Sequence, residues 1–93
     1  MASLRIARTY IVRGRVQGVG FRNFALVEAR KLGVSGYVRN LDDGSVEVYA
    51  TGTAEQLSDL AGRLSIGPRW AEVQGIEQRE EAVRTLSVFQ IRH

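Results

Sequence analysis

Hydrophobic positions along the chain change period several times, and each change marks an element. In ARTYIVR, residues 7 to 13, β-branched and aromatic side chains crowd together and stop at Gly14, the pattern of a strand running into a loop. Beyond the loop the spacing becomes helical: Phe21, Phe24, Ala25, Ala29 and Leu32 share one stripe, and Gly33 stands where a helix C-terminus favours a left-handed residue. The spacing predicts a helix over 21–32. VSGYVRN and SVEVYAT then flank the turn LDDG, with Val46 and Val48 alternating with Glu47 and Tyr49, a β-hairpin. Thr53 with Gln56 three residues on makes a capping box, and Leu57, Leu60, Ala61 and Leu64 carry a second helix toward Gly67-Pro68. Ala71 to Arg79 alternates only weakly around Val73 and predicts a less regular strand; Leu86 to Ile91 predicts a short apolar one.

The order strand, helix, strand, strand, helix, strand, with a short fifth strand possible at the end, is that of the α+β, ferredoxin-like split β-α-β sandwich. In that fold two helices cover one face of an antiparallel sheet. Unrelated activities share it, so function must come from a site. With 93 residues there is enough chain for one core and too little for two, and no linker interrupts it, so residues 1–93 are expected to form a single domain. No repeat or low-complexity tract appears. MASLRIARTY lacks the apolar core of a signal peptide, no apolar run approaches the roughly 18 residues a span requires, and there is no cysteine to oxidise. A cytoplasmic location is the expectation.

Charge narrows the field little and absences narrow it more. Thirteen basic residues against ten acidic ones leave +3, enough to attract any anion without choosing among them. Arg13, Arg15 and Arg22 crowd near the glycines, whereas Arg79, Arg84 and Arg92 are spaced along a stretch that also carries Glu77, Glu80 and Glu81. With no cysteine and His93 as the sole histidine, the sequence argues against a thiol nucleophile, a histidine general base and a nitrogen/sulfur zinc site. Asp42-Asp43 before Gly44 reads as a hairpin turn in preference to a magnesium site.

The concentrated signal is GRVQGVGFRNF, residues 14 to 24. A glycine loop between a strand and a helix N-terminus offers several backbone N–H groups to an anion, reinforced by the helix dipole. Gly18 and Gly20 clear the approach, and Arg22 adds a guanidinium. A cation at a helix N-terminus faces the positive end of the dipole, a conflict that a bound anion resolves. The loop is neither a Walker A sequence nor a G-x-G-x-x-G site. On pattern alone, a tight structural turn with a surface arginine remains open beside the anion site. Asn40, opening the turn, is on its own more readily a turn asparagine. Gln17 could serve only to shape the loop; Phe21 and Phe24 read as core, and Tyr37 and Trp70 as core or cleft wall.

GRVQGVGFRNF, followed by LGVSGYVRNLDDGSVEVYATG and then Gly67-Pro68, resembles the acylphosphatases, and the resemblance runs over nearly the whole chain. It implies hydrolysis of a carboxyl–phosphate bond without metal or cofactor. By position, Gln17, Gly18, Val19, Gly20, Phe21 and Arg22 match the phosphate cradle, Arg22 the arginine on the phosphoryl oxygens, and Asn40 the asparagine that orients the attacking water. The loop ends the first strand and Asn40 the second, so adjacent strands would bring them together. The expected partners are a small acyl phosphate and its product, inorganic phosphate, competing for the same site, with the chain acting as a monomer away from membranes. A nucleic-acid module would need an aromatic-rich central strand that this chain lacks. A non-catalytic anion sensor is disfavoured because Arg22 and Asn40 are both present. Two departures from the family pattern stand out: Leu41 supplies no hydroxyl beside Asn40, and the chain ends in His93 where many members carry an aromatic. His93, far in sequence from both candidates, reads as neutral to activity.

Overall fold

Period-2 and period-3.6 stretches become the elements expected of them, in a computed structural model that describes residues 4–93; the first three residues of the N-terminal stretch read above lie outside it. Strand β1 (Ile6–Arg15) leads into α1 (Phe21–Leu32), then β2 (Ser35–Asn40), β3 (Val46–Gly52), α2 (Ala54–Ile66), β4 (Glu72–Glu81) and β5 (Phe89–Ile91). The strands form one sheet in the order β4-β1-β3-β2-β5, the ferredoxin-like arrangement. Its first four members pair antiparallel. The expected antiparallel sheet gains one further feature, because β5 joins β2 in parallel, which makes the whole sheet mixed.

Alternation decides which face each strand side chain takes. Tyr10, Val12, Val38, Val46, Val48 and Ala50 pack in one cluster with Phe21, Ala25 and Ala29 of α1 and Leu57, Leu60 and Leu64 of α2. Each leucine is fully buried, worth about 1.5–3 kcal/mol against exposure. Tyr37 and Tyr49 fall on the opposite face, stack at 5.5 Å, and are covered by Leu86. The Thr53–Gln56 capping box forms reciprocally, and the Gln56 amide also donates to Leu32 O at 2.9 Å, fastening the end of α1 to the start of α2.

Two strands are less regular than their neighbours for identifiable reasons. The β1–β4 register shifts between Arg13 and Gly14, so that Gly75 and Val73 face consecutive β1 residues and Gln74 is bulged. Val73 and Ile76, three apart, therefore both reach the core, which is why the sequence alternates weakly there. At the C-terminal end, Leu86 leaves the expected strand to cover the two tyrosines, and only Phe89–Ile91 pairs with β2.

The β2–β3 ladder also carries a steric requirement. Gly36 has φ 145°, and a Cβ there would collide with the backbone carbonyl of Tyr49, which cannot move aside without breaking the ladder. Gly36→Ala is expected to destabilise by roughly 3 kcal/mol or more and to lower Tm by more than about 10 °C. Urea and thermal unfolding followed by circular dichroism measure this; a loss below about 1 kcal/mol would show that the ladder yields at this point.

Candidate active site

The site is assembled at one end of the sheet by three local facts. β1 stops at Arg15, and the chain turns through Gly18 (φ 74°) and Gly20 (φ 78°, ψ 19°) into α1. Side chains other than glycine avoid this left-handed region at a cost of about 1–2 kcal/mol. Gly20 is the N-cap and has no side chain to occupy the helix end; the first turn carries no acidic residue. Helix geometry leaves the N–H groups of Gly20, Phe21, Arg22 and Asn23 without intrahelical acceptors, and no hydrogen bond among the described residues engages them.

Asn40 arrives from β2. Val38 points into the core, so Asn40, two residues on, lies on the same face, the one that carries α1. It pairs with Val46 of β3, and Val46 pairs with Val12 of β1 on its other side. The two strand ends are thus separated by β3, two strand spacings or about 10 Å, in place of the adjacency expected. The loop and the first turn of α1 bridge that gap. Gly18, Gly20, Phe21, Arg22, Asn23 and Asn40 line one cavity of about 350 Å³, together with His93. Asn40 Oδ1 is buried and, among the described residues, is the side-chain oxygen or nitrogen that is buried without a hydrogen-bond partner. An acceptor without a protein partner in the wall of a cavity is available to a water or a ligand there.

The remaining sequence candidates sort cleanly. Gln17 and Val19 do not line the cavity. Gln17 Nε2 instead donates to Leu41 O at 2.8 Å and Ser45 O at 2.9 Å, tying the glycine loop to the turn after Asn40, while Val19 packs on the core. Gln17 shapes the loop. Phe21 is core and also lines the cavity, and Phe24 packs against it at 5.9 Å. Trp70 is 71% exposed, below the Arg69 guanidinium, and forms neither core nor cleft. Tyr37 and Tyr49 lie on the open face of the sheet yet are buried, so the two rings offer no stacking platform to a base.

Of the three arginines near the glycines, Arg13 is taken by Glu77 at 2.9 Å and Asp43 at 3.5 Å. Arg22 has no carboxylate within ion-pair distance among the described residues; its side chain donates to His93 Nδ1 at 3.3 Å. His93, set aside because it is remote in sequence, is thus part of the site in space. The turn belongs to Asp43: it accepts from the Ser45 hydroxyl and from the Ser45 N–H, the latter at 2.9 Å, and these bonds, aided by Arg13, hold its carboxyl below the usual carboxylate range. A larger cavity, about 820 Å³, opens at the other end of β2 around Arg5, Arg30 and the segment before β5. It contains none of the candidate site residues read from the sequence; the smaller cavity unites glycines, helix N-terminus, arginine and the Asn40 amide.

A family model described as Acylphosphatase matches residues 8–91. An acylphosphatase of Solibacter usitatus is 58% identical over 86 residues, covering 92% of this chain and 90% of that protein. One of Pasteurella multocida is 49% identical over 89 residues, covering 95% and 99%. The crystal structure of an acylphosphatase from Bacillus subtilis superposes with a TM-score of 0.92 at 36% identity, covering 95% of this chain and 99% of that one.

Proposed function

The chain belongs to the acylphosphatase family, a family of enzymes, and on that premise we propose that it hydrolyses the carboxyl–phosphate bond of a small acyl phosphate by attack of an Asn40-held water on a phosphoryl group gripped by Arg22. The observation that carries the mechanism is the buried, unmatched Asn40 Oδ1 in the same cavity as Arg22 and the open end of α1.

The phosphoryl group binds where the N–H groups of Gly20, Phe21, Arg22 and Asn23 are free, and the Arg22 guanidinium grips its oxygens as a two-pronged donor. Phosphoryl transfer passes through a loose transition state whose charge spreads over the equatorial oxygens, so fixed donors and correct placement supply most of the catalysis. Asn40 Oδ1 accepts a hydrogen from the water and aims its oxygen lone pair at phosphorus. The new O–P bond forms as the bond from phosphorus to the acyl oxygen breaks. A carboxylate of low pKa leaves with that electron pair and needs no general acid. The water's proton passes to the phosphoryl oxygens or solvent, giving inorganic phosphate. Neither step calls on a thiol, a histidine base or a metal ion. The product retains the group that the site binds, so it competes with substrate. The chain is proposed to act as a cytoplasmic monomer; no helix among the described residues is long and apolar enough to cross a membrane.

Benzoyl phosphate is the first substrate to use, with loss of ultraviolet absorbance followed in the presence of a chelator. Turnover at or above about 1 per second is expected, the ordinary enzyme range. A folded protein with no turnover would overturn the proposal and leave the loop as an anion-binding or structural turn.

A further inference from the structure

His93 reaches the site by strand register. In the parallel β2–β5 pair, Gly36 faces Phe89, Tyr37 faces Gln90 and Val38 faces Ile91; the N–H of Arg92 then donates to Val38 O at 2.8 Å, carrying the ladder one step beyond β5. Continued by one more pair, this register sets His93 beside Asn40. Alternation agrees: Phe89 and Ile91 pack on the core, Arg92 turns to the opposite face and stacks 4.2 Å from the Tyr37 ring centroid, and His93 returns to the core face. There it meets Arg22, whose Nη1 donates to His93 Nδ1 at 3.3 Å. A guanidinium has no acceptor, so in this contact Arg22 can only be the donor and the imidazole nitrogen the acceptor.

We propose that His93 is a second, proton-gated contact for the bound phosphoryl group: neutral while it holds Arg22 in the empty site, and protonated when a dianion enters between the two side chains. The inference rests on the phosphoryl-binding reading above. The groups facing the imidazole are few. Arg22 comes from α1, Asn23 and Asn40 are neutral, Ile91 is apolar, and among the described residues no carboxylate side chain lines the cavity. Arg92 is turned away onto Tyr37. The one large change on binding is therefore the arrival of negative charge beside the ring.

An adjacent anion favours the charged imidazolium, so the proton affinity of His93 is higher in the complex than in the free protein. Binding then takes up a proton. The extra affinity is present at low pH, where the complex takes up the proton, and is lost as pH rises and the proton is given up. Arg22 does not reverse this sign, because it opposes protonation in both states and does so less once an anion screens it.

Sulfate separates this effect from titration of the ligand, since it stays a dianion throughout. Calorimetric titration of the folded protein with sulfate is expected to show binding about three- to fivefold tighter at about pH 5.5 than at about pH 8, the scale of an exposed ion pair. It should also show net proton uptake when two buffers of different ionisation heat are compared near pH 6.5. His93→Gln keeps an acceptor for Arg22 and cannot charge; its sulfate affinity should be flat with pH and its proton uptake absent. Equal pH dependence in the two proteins, or none in the wild type, would overturn the role of His93. Turnover of benzoyl phosphate is read separately, so a catalytically silent protein that still shows His93-dependent proton uptake overturns the hydrolase reading and keeps this one.

Discussion

Arg22→Ala is expected to reduce benzoyl phosphate hydrolysis by at least about 100- to 1000-fold, the effect of losing one fixed donor at a developing anion, and to leave the protein folded. Both halves follow from what the side chain touches. Arg22 forms no ion pair among the described residues, and its one side-chain hydrogen bond goes to exposed His93. It also sits in the first turn of α1, where a cation is disfavoured by about 0.3–1 kcal/mol. Removing it should cost no stability. Arg22→Lys keeps the charge but not the planar fork, and should recover only a small part of the rate. Because Arg22 binds the phosphoryl group of the substrate and grips it more tightly as charge develops in the transition state, KM should rise as kcat falls. Full activity in a folded Arg22→Ala protein would remove the arginine from the mechanism and leave phosphate binding to the N–H groups alone.

How far the chain could be read follows from how local each cause is. The stripe through Phe21, Ala25 and Ala29, the Thr53–Gln56 box and the Val46–Val48 alternation depend on neighbours within a few residues, and each lies in the element it predicts. The bulge at Gln74 is set by pairing with Gly14, sixty residues earlier in the chain, and so surfaces in the sequence only as weakened periodicity. The same division holds at the site. Glycines before a helix announce an anion-binding loop locally, and the family pattern marks Arg22 and Asn40. Neither discloses that Gln17 braces the loop against Leu41 and Ser45, because its partners lie across the β2–β3 turn. Nor does either place His93, which depends on a parallel register between strands about fifty residues apart. The one signal available was negative: Arg22 had no acidic residue at helical spacing to pair with, which left it free for a distant partner.

Asn40→Ala should separate activity from stability more sharply still. The amide could in principle be a turn residue, but the turn is already closed by Leu41 N–H to Ser45 O at 2.9 Å and by Asp43 accepting from Ser45, without help from the Asn40 side chain. What Asn40 holds is an oxygen with no protein partner among the described residues, so its removal breaks no hydrogen bond of the fold. The expected unfolding free energy is unchanged to within about 1 kcal/mol. The expected kcat is lower by about 100- to 1000-fold, because the water loses the group that aims it. KM should move by less than about threefold, since the phosphoryl group keeps Arg22 and the helix N–H groups. Asn40→Asp retains the shape but sets a negative charge against the substrate, so it should lose kcat and raise KM together. Chemical denaturation and steady-state kinetics on the same preparations decide it: loss of stability with little change in kcat would assign Asn40 to the turn, whereas a stable, inactive protein means that the amide is there for the attacking water and not for the fold.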